Sequence, residues 1–79
     1  MVLDLIVNSG DDGFNAEVPS VKGCESWAHT EDEVISKVIE LLRFYLKLGQ
    51  QHVVEIDFSR KTRNKKVLKI LIRTSKFGE

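Results

Sequence analysis

The feature that most constrains this chain of 79 residues is a helix-spaced apolar ridge between residues 31 and 48, bounded by a start signal and a stop signal. Val34, Val38, Leu41, Leu42, Tyr45 and Leu48 recur at the spacing that lays one helix face on a core. Thr30 followed by Glu33 matches a capping box, in which two side chains satisfy orphan backbone donors at the helix start. Glu31, Asp32 and Glu33 add negative charge at the positive end of the helix dipole. Gly49 is expected to supply the left-handed residue that ends the helix. A second ridge through Ile35, Ile39, Leu42 and Leu46 widens the apolar arc beyond one sheet contact. Something must cover it, and a homodimer interface through Ile35, Ile39 and Leu46 is the expectation.

The rest of the chain reads as strands. Residues 2–8 place Leu3, Leu5 and Val7 on one face and Val2, Asp4 and Ile6 on the other, as suits a strand inside a sheet. Ser9-Gly10-Asp11-Asp12-Gly13 is dense in turn formers and predicts a hairpin. Over 14–18, Phe14, Ala16 and Val18 oppose Asn15 and Glu17, and Pro19 then ends the strand. Ser20-Val21-Lys22-Gly23 reverses the chain, and 24–29 is short enough for a third strand. Two further alternating runs, 52–58 and 67–73, flank Ser59-Arg60-Lys61-Thr62-Arg63-Asn64-Lys65-Lys66 and read as a hairpin with a long basic tip. Lys76 to Glu79 is expected to be a frayed tail. The predicted architecture is two-layer α+β, one helix on a mostly antiparallel sheet in the order β-β-β-α-β-β, forming a single domain over 1–79.

Size and composition narrow the function classes. A single core of this size is only marginally sufficient, so association is expected to supply further burial. Twelve basic residues cancel twelve acidic ones, which argues against a surface devoted wholly to nucleic acid while leaving room for a local patch. One cysteine excludes an internal disulfide, and with two distant histidines it gives no zinc spacing. The N-terminal residues lack the basic start of a signal peptide, and no apolar run is long enough to span a bilayer. A cytoplasmic location is the expectation, with no cofactor and no metal.

Several residues invite chemical readings. Asp4, Glu17 and Glu33 suggest a comparison with acidic metal-dependent nucleases, but the cap accounts for Glu33 and scattered acids do not define a cation site. Cys24 and His29 fall on opposite faces of a strand by its period of two, so a nucleophile and base pairing is disfavoured against a buried cysteine. Trp27 is turned outward beside Glu25 and His29 by the same period, as an interface anchor would be; packing under the final hairpin is the competing reading. The cations Arg60, Lys61, Arg63, Lys65 and Lys66 are placed to contact phosphates, although no aromatic is interleaved to stack on bases.

Residues 13–46 also carry a family pattern. Gly13-Phe14-Asn15-Ala16-Glu17-Val18-Pro19, then Gly23-Cys24-Glu25-Ser26, then Thr30-Glu31-Asp32-Glu33 opening the helix resembles the HicB-like antitoxin family. That resemblance implies a degenerate ribonuclease H-like domain that binds without catalysis, and a HicA-type ribonuclease toxin as partner. Glu17, Glu25 and Trp27 are then the candidate partner-binding residues. After the last strand the sequence has no helix-turn-helix or ribbon-helix-helix segment, so the chain resembles the short stand-alone members of that family. The alternative from another class is a small RNA- or DNA-binding module using the basic residues 60–66.

Overall fold

A computed structural model describes residues 1–49 and 51–74. Five strands and one helix follow the expected order: β1 (Val2–Ser9), β2 (Phe14–Glu17), β3 (Glu25–Ala28), α1 (Glu31–Tyr45), β4 (His52–Lys61) and β5 (Lys65–Thr74). The strands form one sheet in the order β3-β2-β1-β5-β4, and every ladder is antiparallel. β1 therefore lies at the centre, as its apolar content on both faces implied. Leu5 and Val7 point to the helix side and are buried, whereas Val2 and Asp4 on the other face are exposed.

The core forms where period two meets period 3.6. Leu5 and Val7 of β1, Ala16 of β2, Ala28 of β3 and Leu68, Ile70 and Ile72 of β5 all present the same sheet face. Val34, Val38 and Leu42 of α1 close over them, and all three are inaccessible to solvent. Small residues at 16 and 28 let the helix approach, and α1 accordingly lies across β2 and β3. Ile35, Ile39 and Leu46 are partly buried against the flank of this core rather than projecting freely from it.

α1 starts where its sequence implied, with the Thr30 half of the capping box formed. The Thr30 backbone is extended, and its hydroxyl oxygen accepts from the Glu33 amide at 3.2 Å. The end is not where the sequence implied. The helix stops at Tyr45, and the left-handed residue is Lys47 at φ 55°, so the expected stop at Gly49 is corrected. The amide of Lys47 donates to the Phe44 carbonyl and that of Leu48 to the Arg43 carbonyl, the paired bonds of a Schellman motif. Leu48 packs against the core from the position after the left-handed residue. That apolar contact fixes the stop two residues earlier than the glycine would.

The long basic tip is also corrected. β4 runs through Lys61 and β5 begins at Lys65, so only Thr62, Arg63 and Asn64 form the turn. An irregularity between Phe58 and Arg60 takes Ser59 out of register and lets pairing continue to Lys61 opposite Lys66. The turn is tethered to the sheet centre, because the Ser9 amide donates to the Asn64 carbonyl at 2.9 Å. The tail at 76–79 lies outside the described residues.

Candidate functional site

The sheet has one face without a helix, and the three candidate partner-binding residues share it. In the β2–β3 ladder, Glu17 stands directly opposite Glu25, and Asn15 directly opposite Trp27. Like charges facing each other across a ladder are destabilising, so the Glu17–Glu25 pair is a local cost to the fold. Trp27 remains 46% exposed and meets the His29 ring edge-on at a centroid distance of 4.7 Å. Packing under the final hairpin is excluded, since β3 and β4 occupy opposite edges of the sheet.

Gly13 explains how the indole is seated. A Cβ there would fall 2.5 Å from the Ala28 carbonyl oxygen and 2.8 Å from the Trp27 ring, so the β1–β2 turn closes on Trp27 only because residue 13 has no side chain. Beside the ring is a shallow cleft of about 220 Å³, bordered by Asn8, Asp11, Asp12 and Asn15. Asn8 donates to Asn15 across its floor at 3.2 Å. The two aspartates and the asparagines at this rim were not singled out by sequence reasoning. The aspartates signalled only turn chemistry and Asn15 only the polar face of a strand, readings that explain them without a site.

The alternative nucleic-acid residues divide between surfaces. Lys61, Arg63, Lys65 and Lys66 border a cavity of about 340 Å³ at the β4–β5 tip, together with Phe14 and Glu31. Lys66 is ion-paired with Glu31, which removes part of its charge from any ligand. Arg60 stands opposite Val67, on the helix-free face, while Lys61 and Lys66 point to the helix side. Five cations that looked contiguous along the chain are thus split between two faces.

The remaining candidates separate. Cys24 is buried beneath α1, where its thiol lies 3.7 Å from the Val38 carbonyl oxygen, and desolvation raises its pKa. His29 is exposed on the opposite side of the sheet. Asp4 is paired with Lys69 on the helix-free face, and Glu33 lies at the start of α1 in the other layer. Among the described residues no three His, Cys, Asp or Glu side chains gather closely enough to hold a metal ion. No helix among them is long and apolar enough to cross a membrane.

The dimer candidates Ile35, Ile39 and Leu46 flank the core on the side of α1 from which Glu31 reaches Lys66 of β5. Beyond them, β4 presents Ile56 at 38% and Phe58 at 60% exposure on the helix side of the sheet. The sequence reading placed both in an alternating strand without locating this gap, which arises because α1 sits over β2 and β3. Comparison with protein-family models, characterised proteins and solved structures gives no match to this chain.

Proposed function

We propose that this chain is a non-catalytic, HicB-like binding protein of degenerate ribonuclease H-like type, whose partner is a HicA-type ribonuclease toxin. The observation that carries the reading is the Glu17–Glu25 pair beside exposed Trp27. Two carboxylates held opposite each other cost stability in the free protein and become favourable when a cation lies between them. A ribonuclease that grips RNA presents such cations, and an aromatic anchor next to them supplies desolvated contact area. Inhibition by this route needs coverage of the basic surface and no catalytic group. The resemblance of residues 13–46 to HicB-like antitoxins supplies the class of partner.

The test is co-purification from the native host followed by an RNA-cleavage assay of the captured partner, with and without this protein. Suppression of cleavage by the parent chain, and weaker suppression by Trp27→Ala and Glu25→Lys, is the expected result. Cleavage by the purified protein alone, or full inhibition by both variants, overturns the reading.

A second reading is favoured by one observation, the cavity bordered by Lys61, Arg63, Lys65 and Lys66. It makes the tip a phosphate-binding surface for RNA or DNA. Binding would then weaken steeply with salt, and replacing Lys61, Arg63 and Lys65 together would flatten the slope by about one unit for each phosphate no longer neutralised.

A further inference from the structure

We propose that the outer edge of β4 is a self-complementary surface on which a second copy of this chain adds its own β4 antiparallel, joining two sheets into one. The two edges of the sheet are built differently. β3 has four residues, whereas β4 has ten and spans about 30 Å at ordinary strand rise. No described strand pairs with the outer side of β4, so its backbone donors and acceptors there face solvent.

Side chains on β4 decide which occupant fits. Its helix-side row is Val54, Ile56 and Phe58, of which the last two are exposed because α1 covers the other half of the sheet. Its charges run from acidic to basic along the strand: Glu55 and Asp57, then Arg60 and Lys61. Such an order is complementary to itself when the strand is reversed. With Ser59 out of register, a pairing centred on Asp57 opposes the two Asp57 carboxylates and draws on Glu55, which is already ion-paired with Arg73, so it is disfavoured. A pairing centred on Phe58 sets Asp57 against the partner's Arg60 twice and apposes the two phenyl rings. A parallel pairing in register would instead oppose like charges along its length, which disfavours association. Antiparallel apposition about a twofold axis is also the commonest closed symmetry, and it leaves no further edge of this kind exposed.

This dimer does not use Ile35, Ile39 and Leu46 as its principal contact, and it leaves the Glu17–Glu25–Trp27 surface free on the far edge. An interface limited to one strand pair is smaller than a standard one, so a dissociation constant on the order of tens of micromolar is expected.

Sedimentation equilibrium of the parent chain up to several hundred micromolar, a range set by interfaces of this size, tests the proposal together with reciprocal charge variants. Asp57→Arg and Arg60→Asp are each expected to raise the dissociation constant by about tenfold or more, and mixing the two is expected to restore association. Phe58→Cys gives an independent reading: oxidation is expected to produce a covalent dimer, while Asn15→Cys on β2, away from the β4 edge, gives none. Native Cys24 is buried and does not interfere. A parent chain that remains monomeric, a dimer unaffected by both charge variants, or failure of Phe58→Cys to cross-link would each overturn the proposal.

Discussion

Replacing Gly13 with alanine tests the fold and the candidate site together. The added Cβ would lie 2.5 Å from the Ala28 carbonyl oxygen, a backbone atom held in the β2–β3 ladder, and 2.8 Å from the indole of Trp27. Both distances are well inside van der Waals contact, so the β1–β2 turn must shift, the indole must rotate, or both. Overpacking of this kind costs about 1–3 kcal/mol. For a domain of this size each kcal/mol corresponds to roughly 4–8 °C in melting temperature, so a loss of about 10 °C is expected. Trp27 is the only tryptophan, and its fluorescence therefore reports both the unfolding midpoint and the local environment of the ring. The variant should show a lower denaturant midpoint and native-state emission displaced from that of the parent. An unchanged midpoint with unchanged native emission would refute the seating of Trp27 against residue 13.

Lys47→Gly should stabilise the protein by about 1 kcal/mol, since a side chain is no longer held at φ 55°; a lower denaturant midpoint would contradict the Schellman stop. Thr30→Ala should cost about 1 kcal/mol because the Glu33 amide loses its acceptor, and an unchanged midpoint would place the helix start elsewhere. Cys24 should react with thiol reagents only as the protein opens, at a rate that rises with denaturant. Its folded pKa is raised, so the unfolded state loses the thiol proton first, and stability should fall as pH rises above about 8.5, the ordinary thiol value; a Cys24→Ala variant should lack that component of the pH dependence.

What could be read from the sequence followed from local chemistry. Thr30 and Glu33 mark a helix start because the cap is a contact between residues three apart, and Leu3, Leu5 and Val7 mark a buried face because alternation is local too. The helix stop was misplaced because two signals compete: Gly49 offers an inexpensive left-handed residue, but burial of Leu48 against the core draws that conformation to Lys47. The hairpin tip was overestimated for a similar reason. Eight polar residues look like a loop, yet one register irregularity near Ser59 keeps Arg60 and Lys61 paired. The exposure of Ile56 and Phe58 was not legible at all, since it depends on where a helix from another part of the chain sits across the sheet. Of the candidate site, period two placed Glu17, Glu25 and Trp27 on outward faces, but their juxtaposition depends on the β2–β3 register.

That register also gives meaning to a net charge of zero. On the β2–β3 side of the sheet, Glu17 and Glu25 face each other on the helix-free surface, and Asp11 and Asp12 border the cleft beside Trp27. At the β4–β5 tip, Lys61, Arg63 and Lys65 gather, with only Glu31 balancing Lys66 among the residues around that cavity. Opposite charges spread evenly would cancel at a distance of about one Debye length, roughly 8–10 Å at physiological salt. Across the row Glu25, Glu17, Ile6, Val67 and Arg60, Glu17 and Glu25 stand three and four ladder steps from the base of the tip, about 14 and 19 Å at roughly 4.8 Å a step, whereas the Asp11–Asp12 turn adjoins the tip through the Ser9–Asn64 bond. Glu17 and Glu25 therefore present a field that a partner senses apart from the tip cations, while Asp11 and Asp12 lie close enough to the tip to be partly offset by it. A cationic partner is drawn to the β2–β3 side and an anionic one to the tip, while neither needs the protein as a whole to be charged. Association through Glu17, Glu25 and Trp27 should accordingly slow as salt increases, mainly through the on-rate, and truncation of Trp27 should act mainly on the off-rate.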